Sequence, residues 1–297
     1  RCSRKFATSF HRGSLGPMAD AVENTHEPRF TQQLFGHEAA ERAFLDAVAQ
    51  DRLHHAWLIS GPKGVGKATL AWKFAKFLLT QPVDEGPGLF GDDLPAPEKA
   101  TSLAVDPENL EVQRIEAGGH GGLRIIERTE NEKTGKLRND IVIGDIRRVI
   151  SFFSQTSAEG GWRVAIVDAA DEMNSNAANA LLKILEEPPE KSILFLIAHA
   201  PGKLLPTIKS RCRSLKLQSL PEESVQAVLA SRFPKLGSEE LVALSRLSEG
   251  APGRAVDLVA QDGVSLYRQM GTLIAELPRL NVPAVHQLAG QLAGVKA

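Results

Sequence analysis

The sequence predicts an α/β fold: a phosphate-loop domain around a central parallel sheet, then a small all-α domain and the start of a further helical segment. Three observations carry this. From Phe30 onward, short apolar runs alternate with amphipathic stretches, the rhythm of βαβ units. Arg163-Val-Ala-Ile-Val-Asp168 and Ser192-Ile-Leu-Phe-Leu-Ile-Ala198 are continuous apolar runs, as strands covered on both faces require. After Leu220-Pro221 the strand signals vanish.

In chain order, Ala56-Trp-Leu-Ile-Ser60 reads as a buried strand running into a glycine-rich turn. The following helix places Leu70, Phe74, Phe77 and Leu78 on one face. Gln81–Thr101, rich in Pro, Gly and acid, reads as a loop insertion, and Thr129–Asn139 as an exposed polar excursion. Leu123–Glu127 is a weaker strand candidate. Asn176–Glu187 carries a stripe of Ala178, Leu181, Leu182 and Leu185 and stops at Pro188-Pro189. Arg213–Leu217 reads as an edge strand. Glu222–Phe233, Ser238–Glu249 and Arg254–Ala260 then read as short helices, and another begins near Val264.

Length and composition bound the function. The 297 residues suggest two domains and part of a third. Hydrophobic residues at 42% and charged residues at 24% suit a packed core rather than a disordered chain. Thirty-five basic residues against 36 acidic ones exclude a polycation that holds nucleic acid by charge alone. Two cysteines, Cys2 and Cys212, cannot build a disulfide framework or a four-thiolate zinc site. No apolar run is long enough to span a bilayer. The expectation is a soluble intracellular protein with no membrane partner. Residues 1–17 contain Arg1, Arg4, Lys5 and Arg12 and no acid, which leaves 31 basic residues against 36 acidic ones in the body. Such a start fits a transit peptide, or an upstream stretch before an internal start at Met18. Residues 1–29 are therefore expected to be a dispensable, disordered extension.

The chemistry centres on Gly61-Pro-Lys-Gly-Val-Gly-Lys67, which matches G-x-x-x-x-G-K between a strand and a helix. Glycines let backbone N–H groups turn inward around phosphate oxygens, and the helix N-terminus adds partial positive charge. Gly61, Gly64, Gly66 and Lys67 are thus the candidate nucleotide-binding residues. An active loop continues with Ser or Thr, whose hydroxyl ligates Mg²⁺. Here that position is Ala68, and Thr69 lies roughly 100° further around the helix. Asp168 ends its strand where a Mg²⁺-side carboxylate belongs. A residue to polarise an attacking water is missing at the next position, which is Ala169. ATP binding without efficient hydrolysis is the expectation.

His55-Ala-Trp-Leu-Ile-Ser-Gly-Pro-Lys-Gly-Val-Gly-Lys67, Asn179-Ala-Leu-Leu-Lys-Ile-Leu-Glu-Glu-Pro-Pro189 and Ser210-Arg-Cys212 occur in this order. Together they resemble the clamp-loader subunits of bacterial DNA polymerase III, of the AAA+ superfamily, from about Phe30 to Leu258. The missing hydroxyl and glutamate resemble the delta-prime branch rather than the ATP-hydrolysing gamma/tau branch. The resemblance implies an AAA+ domain over 30–218, a helical lid over 219–262 and the start of a truncated collar over 263–297. It implies a bacterial cytoplasmic location and a stator-like role beside gamma/tau and delta subunits. The sliding clamp and primer-template DNA would be reached through the complex. Arg211 becomes a finger, lent in trans to a neighbour's γ-phosphate.

The same resemblance places a sensor-2 motif at Gly250-Ala-Pro-Gly-Arg254, where Arg254 either contacts nucleotide or serves a structural role. The sensor-1 position falls near Ala198-His199, without the small hydroxyl or amide of active relatives. The four-cysteine zinc module of many delta-prime subunits is absent, so no zinc is expected. Lys203, Lys209, Arg211, Arg213 and Lys216 form a basic stretch that fits either DNA contact or a solvated strand edge. Two other readings remain: an ATP-hydrolysing gamma/tau-type motor that uses Thr69 or a rearranged Asp171, and a regulatory nucleotide-binding AAA+ module outside replication.

Overall fold

The computed structural model describes residues 27–82, 100–131, 133–154, 161–278 and 281–294. A five-stranded parallel sheet forms its centre: β1 (Ala56–Ser60), β2 (Leu123–Ile126), β3 (Arg163–Asp168), β4 (Ser192–Ala198) and β5 (Arg213–Lys216), in the order β2-β3-β4-β1-β5. Register is set by pairs such as Trp57 with Phe195 and Val167 with Leu196. Every residue of β1 and β4 is buried, which is why these strands read as unbroken apolar runs.

Alternation along the strands feeds two separate cores. Trp57, Ile59, Ile166, Phe195 and Ile197 face α1 (Glu38–Ala49) and α2 (Lys67–Leu79). There Phe44 of α1 stacks on Phe74 of α2 with centroids 3.8 Å apart. On the opposite face, Leu58, Ala165, Val167, Leu194 and Leu196 pack against α4 (Ile143–Ser154) and α5 (Ser175–Glu186). Asn174 caps α5 by accepting from the Ala177 amide at 3.0 Å, and satisfies one of the helix's orphan donors. A short α3 (Leu110–Glu116) packs on α2, where Lys76 pairs with Glu116 at 2.5 Å.

Beyond the sheet, α6 (Pro206–Lys209) leads into β5. Then α7 (Glu222–Arg232), α8 (Ser238–Leu247) and α9 (Pro252–Ala260) share a core of Val225, Leu229, Leu244 and Ala255, which Val264 of α10 (Gly263–Ala275) also joins. The last helix is α11 (Val282–Gly294). Tyr267, Met270, Ile274 and Leu277 are exposed large apolar side chains.

The strands and the three short helices after Leu220 fall where the sequence predicted, within a residue or two at each end. The helices α1, α3 and α4 were not predicted. Thr129–Asn139 is an excursion with one antiparallel bridge, Glu130 to Leu137. Residues 1–26 of the proposed extension over 1–29 and most of Gln81–Thr101 lie outside the described residues, whereas Pro28–Phe30 form a short 3-10 turn, so regular structure begins before the expected boundary. No helix among the described residues is long and apolar enough to cross a membrane.

Candidate functional site

The loop between β1 and α2 emerges at the carboxyl end of the sheet, where open α/β sheets place their ligands. Gly61, Gly64 and Gly66 have φ of +151°, +80° and +108°, values that side chains rarely tolerate. The loop is held from three sides. His37, buried in front of α1, donates Nε2–H to the Val65 carbonyl at 2.8 Å. The Gly253 amide, at the start of α9, donates to the Gly64 carbonyl at 2.8 Å. Those two glycines touch: a Cβ on Gly253 would sit 2.9 Å from Gly64 Cα. The third tie is Lys67, whose ammonium donates to the Gly61 and Pro62 carbonyls at 2.7 and 2.6 Å.

Lys67 is only 3% exposed. Burial pushes its pKa down to about 8, against the pull of Asp168 and Asp171. Asp168 moves the other way. Burial, reinforced by the Glu127 charge, pushes it up to about 6 despite Lys67. Each therefore carries a desolvated charge that a ligand with phosphates and a cation would stabilise. His199 lines the same cavity, and its buried Nδ1 has no hydrogen-bond partner among the described residues. Burial and then the Lys67 charge lower its pKa, so the ring is neutral near pH 7.

The cavity, about 180 Å³, is lined by Gly64, Gly66, Lys67, Asp168 and His199 together with apolar Leu34, Leu220 and Pro252. Thr69 also lines it, beside Ala68. The cradle fits phosphates: inward-turning glycines, a helix N-terminus and a buried lysine. It fits Mg²⁺ less well, because the residue after the lysine brings no hydroxyl. Among the described residues, no group of three or more His, Cys, Asp and Glu could hold a metal ion.

Asp171 is already engaged. Its two carboxylate oxygens accept from the His199 and Ala200 amides at 2.9 and 3.0 Å. Both oxygens therefore serve to hold the end of β4. Arg254 brings its backbone against Gly64, while its guanidinium pairs with Glu249 at 2.8 Å and is 52% exposed.

Arg211 lies apart from this cavity, in the bend between α6 and β5. Nη1 donates to the Thr207 carbonyl at 3.1 Å and Nη2 meets Glu186 Oε1 at 3.0 Å. The ion pair is on the surface, with side-chain exposures of 37% and 51%. The neighbouring Cys212 thiol is pushed up to about 12 by burial, which makes it an unreactive packing residue near neutral pH. In the same basic stretch, Arg213 lies over the Trp57 ring at 4.8 Å.

Sequence reasoning missed two groups. Arg232, at the end of α7, lines the phosphate-loop cavity and donates to Thr31 Oγ1 at 2.8 Å, 201 residues away. His37 was missed as well. Neither carries a motif, and only the fold brings them to the loop.

A parallel sheet ordered β2-β3-β4-β1-β5, a glycine cradle with its lysine and a helical unit docked on that cradle define an AAA+ phosphate-loop protein. Residues 94–221 match the family described as "DNA polymerase III, delta subunit". The DNA polymerase III subunit delta' of Pseudomonas aeruginosa is 38% identical over 210 residues, 70% of this chain and 56% of that protein. The delta' subunit of Bacillus subtilis is 31% identical over 71% of this chain and 59% of its own length. A gamma/tau subunit from Mycobacterium tuberculosis is 30% identical over 71% of this chain and 32% of its own. The chain is thus similar to DNA polymerase III delta' subunits and, over the same stretch, to gamma/tau subunits. It spans little more than half the length of the delta' relatives it matches. The solved RuvB motor of Thermotoga maritima, a more distant likeness, covers 89% of this chain and 73% of its own at 16% identity and a TM-score of 0.46.

Proposed function

We propose that this chain is a non-motor subunit of a DNA polymerase III clamp loader in the bacterial cytoplasm. It holds nucleotide without hydrolysing it efficiently, and it lends Arg211 to the active site of a gamma/tau neighbour. Its other partners are the delta subunit and, through the complex, the sliding clamp and primed DNA. Residues 30–218 act as the AAA+ domain, 219–262 as its lid and 263–297 as the start of the collar.

One observation carries this reading. In a chain of delta-prime type, the phosphate cradle is present while the groups that turn binding into hydrolysis are absent or engaged. Ala68 and Ala169 bring no oxygen, and both Asp171 oxygens already accept amide protons. That pattern supports the stator over the motor reading.

Within this proposal each residue has a chemical task. Gly61, Gly64 and Gly66 present backbone amides to phosphate oxygens, and Lys67 leaves the Gly61 and Pro62 carbonyls to neutralise the terminal phosphates. Asp168 would sit on the Mg²⁺ side, and Arg254 would have to leave Glu249 to reach a phosphate. Bound ATP would supply only the phosphate charge that these groups compensate. Arg211 would place positive charge where the neighbour's transferring phosphoryl group gathers negative charge.

The test compares ATP turnover by the isolated chain with turnover by a reconstituted loader. The expected result is negligible turnover alone and robust turnover in the assembly. Robust turnover by the isolated chain that disappears with Lys67→Ala would overturn the stator reading in favour of the motor.

A further inference from the structure

His37 is buried just ahead of α1, and its Nε2–H donates to the Val65 carbonyl at 2.8 Å. The ring lies directly against the phosphate loop: a Cβ on Gly66 would sit 3.6 Å from both Cδ2 and Nε2. It also stands on a fixed base. The His37 carbonyl opens α1 by accepting from the Ala40 and Glu41 amides at 3.0 and 3.1 Å. The Glu38 carboxylate accepts from the Gly36 amide at 3.0 Å. Gly36, with φ of +73°, lets this turn pass Leu220, whose Cδ2 a Cβ would approach to 2.6 Å. Val65 and Gly66 line the cavity, whereas His37 does not.

Peptide planarity turns that contact into an aim. A trans peptide points its C=O and the next residue's N–H in opposite directions. The Val65–Gly66 peptide is trans, since the cis bonds among the described residues are Asp168–Ala169 and Leu277–Pro278. Drawing the Val65 oxygen toward His37 therefore turns the Gly66 N–H away from the ring. In the same manner the Gly64 oxygen, held by the Gly253 amide at 2.8 Å, orients the Val65 N–H. No backbone carbonyl among the described residues accepts from either amide. A peptide that ends in glycine rotates easily, so a contact behind the loop is what fixes the direction of its donor.

Resting on the nucleotide-binding reading above, we propose that His37 is a positioning residue for phosphate binding. Through the Val65 carbonyl it holds the Gly66 amide toward a phosphate oxygen before the ligand arrives, so that no rotation of the loop is needed on binding. His37 does not touch the ligand. Its task requires a proton on Nε2, which the neutral Nε2–H tautomer and the imidazolium both carry.

Titration of the full chain with inorganic tripolyphosphate, followed by calorimetry and by amide NMR, tests this. In the wild type the Val65 and Gly66 amide protons should both move downfield on binding. His37→Phe keeps a ring without the donor. Its affinity should fall about tenfold, the scale of one hydrogen bond to a charged group. The Gly66 shift should be lost with it, while the Val65 shift, fixed by Gly253, remains. His37→Gln offers an N–H at similar reach and should restore most of the affinity and the Gly66 shift. A merely structural His37 would instead lower the melting temperature of the Phe variant and leave affinity and both shifts in place. That result overturns the proposal, and so does an equal loss in the Phe and Gln variants. If the Phe variant fails to fold, the wild-type ring decides: its nitrogen NMR spectrum should show Nε2 protonated, and a neutral Nδ1–H tautomer overturns the proposal. Failure of tripolyphosphate to bind the wild-type chain overturns the nucleotide reading itself, and this proposal with it.

Discussion

The phosphate-loop corner and the Arg211 corner each hold a cation, and they hold it in opposite ways. Lys67 is buried, bound to two carbonyls of its own loop and shielded by the segment that begins α9. Arg211 is on the surface, held by one carbonyl and one exposed carboxylate. Releasing Lys67 toward a ligand means replacing two short hydrogen bonds in a desolvated site. Releasing Arg211 means breaking an ion pair of a kind worth only about 0–1 kcal/mol. The buried corner gives up its cation only at a cost, whereas the exposed one can release it readily. Four changes test that contrast, taken from the largest expected effect to the smallest.

The largest effect belongs to Arg211→Ala in a reconstituted loader. A trans arginine is worth about 10³-fold or more in phosphoryl-transfer rate. Turnover by the partner and clamp loading should fall by that order, while the assembly's size by light scattering and the isolated chain's melting temperature stay unchanged. Undiminished turnover in an intact assembly removes the finger and leaves Arg211 as a local surface residue.

Next comes the contact that closes the buried corner. A methyl on Gly253 would sit 2.9 Å from Gly64 Cα and 3.1 Å from its carbonyl oxygen, and both are backbone atoms that cannot swing aside. Gly253→Ala should therefore cost about 1–3 kcal/mol in denaturant unfolding. It should also increase amide exchange at Gly64 and Val65 as the start of α9 is forced off the loop. An unchanged stability would show that α9 and the loop separate readily, and the contrast between the two corners would then rest on Lys67 alone.

The titration of Asp168 gives the third effect. Its folded pKa, about 6, lies above its ordinary value near 3.8. The native state therefore holds the proton more tightly, and stability falls as pH rises from about 4 to about 6. Asp168→Asn removes that loss. A tenfold change in proton affinity is worth about 1.4 kcal/mol, and the carboxylate's residual solvation trims the full effect. Relative to wild type the variant should thus gain about 2 kcal/mol between pH 4 and pH 8. Lys67 moves in the opposite sense: its charge is lost above about pH 8, so affinity for phosphates should fall between pH 7 and pH 9. A flat stability difference between pH 4 and pH 8 would show that Asp168 is well solvated.

These effects also separate what was legible in the sequence from what was not. The strands were readable because β1, β3 and β4 are covered on both faces and become continuous apolar runs. The loop was readable because its glycines and lysine are consecutive. Helix α4 escaped because Gly144 and the β-branched Ile143, Ile146 and Val149 blur a helical signal that only packing on β3 and α5 makes decisive. Asp171 read as a group that a motor could use if rearranged, since nothing local shows that amides 28 and 29 residues away take both its oxygens. Arg232 could not be read at all, because its partner Thr31 lies 201 residues away and the phosphate loop it shares a cavity with lies far upstream.

The smallest change isolates the exposed corner from its own ion pair. Glu186 meets Arg211 at 3.0 Å on the surface, where screening leaves little net gain. Glu186→Gln should shift unfolding free energy by less than about 0.5 kcal/mol. If Glu186 merely rests against Arg211, turnover in the assembled loader should stay at the wild-type level or rise slightly as the guanidinium is freed, and added salt should narrow the difference. If Glu186 instead aims the arginine across the subunit boundary, the variant should lose turnover on the scale of Arg211→Ala without losing stability. That result would make the exposed corner as preorganised as the buried one, and the contrast between the two would reduce to burial.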